Sequence, residues 1–356
     1  MPQLSEITPY FEELDRTGIY SNYGPMDRKL RAAISKRCGA TDAILTSSGT
    51  TAITVALLDI IHSNNKASEA GKNKFCIMPS YTFVGTAHAV CNAGMTPFFA
   101  DVDEVSLMLT PENALEAMSA LDEPPAAIVV VSAFGCPMDF DAWRGFEKKH
   151  GIPIVFDAAA AFSTLKNIDM DYVCVSFHAT KIPSLGEGGA VLCNSSSLAE
   201  QLILRTGFGF VGENRDAKLR GGNFRVSEYA ACVGLASLDQ LDENLEVLNR
   251  KAQQYKQLLV GAPCRFLENY GEEWVSSTLN VVLDDNSVVD CLKQLTENKV
   301  PYRHWWGFGC HTQSAFSAFG SVPLRTTNAV APRVVGLPFH KYILDEHIEK
   351  VTECLK

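Results

Sequence analysis

Asp157, Ser176, His178 and Lys181 stand at or just past the ends of short apolar runs, where polar side chains need a reason to be. Asp157 closes the run 152–156, so its carboxylate has an apolar approach on one side and is costly to bury unless a cation or donor meets it. Lys181 follows the run 173–177 and precedes a glycine-rich stretch ending in Gly188 and Gly189. One chemistry uses both residues. Pyridoxal 5'-phosphate forms a Schiff base with a lysine amine and keeps its ring nitrogen protonated against a carboxylate. Its phosphate needs donors, and Gly49 and Thr50 at the start of a helix offer unpaired N–H groups and the positive end of the helix dipole, helped by the Ser176 hydroxyl. Phe83, just beyond another strand end, is placed to cover the ring. Each residue also has a structural alternative: a helix cap for Asp157, a solvated loop cation for Lys181, a local back-bond for Ser176 and core packing for Phe83. Singly, the structural role is the commoner one; their joint placement carries the cofactor reading.

The elements that must position these residues alternate along the chain. Apolar runs at 75–78, 97–100, 127–131, 152–156, 173–177 and 189–192 read as buried strands, and 111–121 and 139–150 have helical spacing. That pattern predicts an α/β fold with a mostly parallel sheet flanked by helices, and ligands at the carboxyl ends of its strands. Pro25, Met26, Leu30, Ala33 and Ile34 predict a helix stopped by Gly39, and Ile53, Leu57, Ile60 and Ile61 predict another after the turn 47–50. Gly207, Gly209 and Gly212 match G-x-G-x-x-G, but the text before them is helical and no buried helix follows, so the segment 205–225 reads as a loop or lid and not as a dinucleotide fingerprint. Residues 1–240 are expected to form a large cofactor-binding domain and 241–356 a smaller α+β domain, with a strand-like piece at 279–283.

Composition narrows the class. The 356 residues are 46% hydrophobic and 20% charged, as in a packed globular chain. A formal net charge of -10 gives no general attraction to a polyanion or an acidic bilayer, so neither nucleic acid nor membrane is an expected partner. The 11 cysteines are scattered without a CxxC pair, and the amino terminus lacks an apolar signal region; both point to reduced thiols and the cytoplasm, and no metal site is expected.

The strings SSGTTA (47–52), PSYTFVGTAHAV (79–90), AFGCPMDFDA (133–142), VFDAAAAF (155–162), SFHATKIPSLGEGGAV (176–191) and GGNFRVSEYAACVGL (221–235) occur in order and resemble the DegT/DnrJ/EryC1/StrS family of sugar aminotransferases. The resemblance runs from Asn22 to the carboxyl terminus, and SFHATK followed by EGGA is its most specific piece. It implies the fold-type-I architecture of pyridoxal phosphate enzymes, with Lys181 as the Schiff-base lysine and Asp157 as partner of the ring nitrogen. It further implies Ser176, Gly49 and Thr50 as phosphate ligands, Phe83 as ring cover, and Asn223 reaching the cofactor of a neighbouring subunit in a homodimer with shared sites. The wording is closest to enzymes that aminate C4 of a dTDP-4-keto-6-deoxyhexose with L-glutamate as donor. A nucleotide-sugar 3-aminotransferase, a sugar dehydratase and a cofactor-binding regulator without turnover are the alternatives; the dehydratases replace the lysine by histidine. Substrate carboxylate and diphosphate would draw on Arg225, Arg303, Lys218 or Arg220; Trp305 and Trp306 are further contact candidates with packing as the commoner role, and His178 and His311 with a hydrogen-bonded structural role as the default. Ala160 departs from the pattern, since the family usually carries glutamine or histidine there, near the cofactor's phenolic oxygen.

Overall fold

The computed structural model describes residues 1–63, 74–212 and 214–356. The first part of the chain runs α1 (Leu4–Thr17), α2 (Pro25–Cys38), β1 (Asp42–Thr46), α3 (Gly49–Ser63), β2 (Phe75–Pro79), α4 (Val84–Asn92), β3 (Thr96–Ala100), α5 (Pro111–Ser119) and β4 (Ala127–Val131). It continues through α6 (Phe140–His150), β5 (Ile154–Asp157), β6 (Val173–Ser176), β7 (Gly189–Cys193), α7 (Ser196–Thr206), β8 (Phe210–Val211), β9 (Asp216–Ala217) and α8 (Glu228–Asp239). The last part contains α9 (Leu241–Leu258), β10 (Cys264–Phe266), β11 (Leu279–Leu283), α10 (Val288–Glu297), α11 (Arg325–Val330), β12 (Val334–Leu337) and α12 (Asp345–Glu353).

Seven strands form one sheet in the order β1-β7-β6-β5-β4-β2-β3. All run the same way except β7, which is antiparallel to both neighbours. The strand runs read from the sequence are therefore strands, and β4 is buried at every residue, as helices on both faces require. Strand β1 and helix α1 were not anticipated. The run 42–46 is short and opens on Asp42, whose carboxylate instead pairs with Arg31 of α2, 2.5 Å away. The outer strand β3 is not left bare: Phe99 N–H donates to Gly320 O (2.9 Å) and Val322 N–H to Phe99 O (3.1 Å), so a later segment covers the edge.

Helix starts follow the sequence closely. Pro25 opens α2, and Gly39 ends it in the left-handed region at φ 72°. Asp139 and Ser227 cap α6 and α8 through their side chains. Glu228, fully buried at the start of α8, accepts from the backbone N–H groups of Gly24 (2.9 Å), Met26 (2.7 Å) and Asp27 (3.0 Å) and so satisfies the first turn of α2.

A second core gathers around the three-stranded antiparallel sheet β10-β11-β12, with Tyr255, Tyr270, Val281, Leu295, Val335 and Ile348 among its buried members. It reaches across to Tyr81, Ala133 and Phe134, which follow β2 and β4 of the large sheet. Asp101, just after β3, fastens the two parts by accepting from Thr326 N–H (2.8 Å), Thr327 N–H (2.7 Å) and the Thr327 hydroxyl (2.7 Å) at α11.

The segment expected to be a loop or lid contains the two-stranded hairpin β8–β9. Its base, at the end of α7, is tied to α3 by a buried ion pair: Arg205 Nε donates to Asp59 Oδ1 at 2.6 Å, with both side chains only 1% exposed. Tyr172 donates its hydroxyl to Asp59 Oδ2 (2.8 Å), and Arg205 Nη1 donates to Arg220 O (3.0 Å). Replacing Arg205 by Met strands a buried carboxylate and should destabilise the fold by about 3–5 kcal/mol in urea unfolding; adding Asp59→Leu should recover much of that loss. A single variant as stable as the parent would show that the pair is not a structural anchor.

Candidate functional site

The sheet brings the candidate residues to one edge. In register, Thr46 lies opposite Gly189 and Gly189 opposite Ser176, while Asp157 stands between Val131 and Cys174. The turn before α3 sits directly on this edge because two glycines permit it. A Cβ on Gly189 would lie 2.6 Å from Ser48 C, and one on Gly49 would lie 2.7 Å from Ser176 Cβ. Thr51 N–H donates to Ser48 Oγ (3.1 Å) and Ala52 N–H to Ser48 O (3.0 Å). Gly49 and Thr50 precede the first intrahelical bond, so their N–H groups point out of the helix end beside the Ser176 hydroxyl.

Asp157 is buried, and each of its oxygens holds one donor: the Thr86 hydroxyl on Oδ2 at 2.7 Å and Ala159 N–H on Oδ1 at 3.1 Å. Burial pushes its carboxyl up from the usual range, while those two donors and the charge of Lys181 pull it back. Burial likewise lowers the Lys181 amine, opposed by the charge of Asp157. Lys181 and Ser176 line one cavity together with Ala159, Ala160, Ser163 and Ser276. Phe83, the residue just before α4, is 59% exposed. It borders the turn at the start of α3, since a Cβ on Gly85 would lie 3.0 Å from both the Phe83 ring and Thr50 Oγ1.

A desolvated lysine, a buried carboxylate held by two donors, an uncovered ring and an open helix N-terminus therefore meet on one sheet edge. The chain matches the DegT/DnrJ/EryC1/StrS aminotransferase family over residues 3–356. It belongs to that family. This protein is thus an aminotransferase of a pyridoxal-phosphate-dependent family. The dTDP-4-amino-4,6-dideoxy-D-glucose transaminase of Shigella dysenteriae is 31% identical to it over 371 residues, spanning 100% of this chain and 96% of that protein. The solved structure of DesI with its TDP-sugar product superposes at a TM-score of 0.85 with 26% identity, covering 100% of this chain and 90% of that one. A DegT DnrJ EryC1 StrS aminotransferase from Brucella abortus shares the fold at a TM-score of 0.85 and 22% identity, over 99% of this chain and 94% of that one.

The remaining candidates of this aminotransferase are placed unevenly. Asn223 is exposed and accepts from Arg225 at both Nε and Nη2 (3.0 Å each), while the Arg225 guanidinium lies over the rings of Tyr23 and Phe208. His178 turns outwards, bonded to Thr180 (2.9 Å) with Glu187 3.6 Å away. His311 has both ring nitrogens engaged, Nδ1 with the Ser80 hydroxyl (2.7 Å) and Nε2 with Asn328 Oδ1 (3.1 Å), so in this arrangement it braces the segment after β2. Trp306 stacks on Phe134 with centroids 3.9 Å apart and meets Tyr81 edge-on, a packing role, whereas Trp305 stays 46% exposed. Arg303, Lys218 and Arg220 are exposed. Ala160 lines the cavity beside Lys181, and its carbonyl would lie 2.5 Å from a Cβ on Gly135.

Two contributors escaped the sequence reading. Gly189 was read only as the start of a strand, though the doubled glycine after Lys181 marked a close backbone approach. Thr86 carried no signal, because its hydroxyl meets Asp157 only across the fold. The lowered Lys181 amine gives a chemical test. Treating the protein with pyridoxal phosphate and then borohydride should label Lys181 ahead of surface lysines, with selectivity rising as pH falls from about 9 to about 7, where ordinary lysines are protonated. Peptide mass mapping that finds the label spread evenly would refute the assignment.

Proposed function

We propose that this aminotransferase moves an amino group from L-glutamate to a nucleotide-linked keto-deoxysugar, at C4 of a dTDP-4-keto-6-deoxyhexose. The carrying observation is the full-length 31% identity to a dTDP-4-amino-sugar transaminase in a chain that keeps Lys181 next to a buried carboxylate. The residues present suit pyridoxal phosphate. Gly49 and Thr50 N–H with the Ser176 hydroxyl would hold its phosphate, Asp157 its ring nitrogen, and the exposed face of Phe83 its ring. When bound, that group supplies an aldehyde that condenses with amines and a protonated ring that accepts an electron pair.

The chain's own residues do the rest. Burial keeps part of the Lys181 amine neutral, so it can take a proton from the reacting carbon and return it, as general base and then acid. Asp157, with one donor on each oxygen opposing the effect of its burial, would retain the ring proton. Phe83 shields one face from water. Asn223, exposed on the chain that carries it, fits a role at the site of a second copy, giving a homodimer with shared sites. Arg225 and Arg303 are the proposed cations for substrate carboxylate and diphosphate. We place the division between the cofactor-binding part and the smaller part at Gln240, between α8 and α9, and the protein in the cytoplasm; no described helix is long and apolar enough to cross a membrane.

Incubation with pyridoxal phosphate, glutamate and a panel of keto-sugar nucleotides should yield 2-oxoglutarate and a 4-amino sugar by mass spectrometry and NMR. Amination at C3, or loss of oxygen without gain of nitrogen, would overturn the positional reading. Lys181→Ala should lower turnover by at least about 10²–10⁴-fold, the range set by loss of a proton-transfer group.

A further inference from the structure

We propose that Thr86, backed by Thr82, is a positioning residue that orients the Asp157 carboxylate towards a cofactor ring nitrogen. This rests on the cofactor reading above and goes beyond it to residues outside the reacting groups. Thr86 and Thr82 are buried, 2% and 1% exposed. Thr86 Oγ1 lies 2.7 Å from Asp157 Oδ2, and Thr82 Oγ1 lies 3.0 Å from Thr86 Oγ1.

Proton counting fixes the direction of this chain. An ionised carboxylate only accepts, so Thr86 must donate its single hydroxyl proton to Asp157. Thr86 then offers only lone pairs to Thr82, which must donate in turn. Two linked hydroxyls thus point their positive ends at a carboxylate whose proton affinity burial raises. The only other hydrogen-bond donor to the Asp157 carboxylate among the described residues is Ala159 N–H, on the opposite oxygen. Each oxygen therefore keeps a lone pair for a ring N–H, and the carboxyl plane is fixed from both sides. Thr86 is the third residue of α4 and Phe83 stands immediately before that helix, so its first turn supplies both the ring cover and the support for the carboxylate.

The test separates this role from plain packing by using a cofactor analogue of the same shape whose ring nitrogen is replaced by C–H. Cofactor-stripped wild-type, Thr86→Val and Thr86→Ser proteins are titrated with pyridoxal phosphate and with 1-deazapyridoxal phosphate, and dissociation constants are read from absorbance. Thr86→Val should weaken pyridoxal phosphate binding about tenfold to a hundredfold, the range for a lost hydrogen bond to a charged group. It should leave binding of the deaza analogue unchanged, and Thr86→Ser should restore pyridoxal phosphate binding. Equal losses for both cofactors, or no loss for either, would overturn the proposal. If Thr86→Val lacks a cooperative melt, Thr82→Val replaces it, with a smaller loss expected in the same cofactor-selective sense and the same overturning results. Wild-type protein that binds neither cofactor would sink the underlying cofactor reading, and this proposal with it.

Discussion

The candidate site turns on one carboxylate placed where water has been removed. Asp157 ends a strand buried on both faces, and an isolated carboxylate there would take up a proton. Three features resist that: the Thr86 hydroxyl, Ala159 N–H and the nearby Lys181 amine. The same burial lowers the amine's hold on its own proton. One environment thus shifts a carboxyl and an amine in opposite senses, up and down from their ordinary values.

Close backbone approach is the second constraint. The helix N-terminus of α3 can sit on the strand ends only because Gly49 and Gly189 lack side chains, and any Cβ there would collide with Ser176 or Ser48. Reversal of β7 contributes too, since it places the first residue of that strand, not its last, between Thr46 and Ser176. Behind this edge, the buried Arg205–Asp59 pair anchors the hairpin segment that carries Asn223 and Arg225. Asp101 and the Trp306–Phe134 stack join the second core to the loops that follow β2, β3 and β4. The polar edge is therefore gripped from both sides by elements far apart in sequence.

Much of this was legible in the chain. Strand runs such as 127–131 are apolar throughout because both faces are covered, and helix boundaries at Pro25, Gly39, Asp139 and Ser227 follow from local backbone chemistry. Asp157, Ser176 and Lys181 stood out because a polar residue ending an apolar run has few bland explanations. Strand β1 was missed since its edge position and its charged first residue weaken the apolar signal. For His311 the sequence offered substrate contact beside a hydrogen-bonded structural role as the default; which partners it takes was not legible, because Ser80 and Asn328 approach its two nitrogens from distant segments.

The sequence by itself determined the alternation of strands and helices, the family and the residue types able to do amine chemistry, because periodicity, capping and motif spacing are local properties. Only the tertiary structure decided that Thr86 meets Asp157 71 positions away, that Glu228 closes the start of α2, and that Gly189 makes room for Ser48. Those contacts depend on sheet order and on the distance between facing backbones, quantities that no stretch of neighbouring residues encodes.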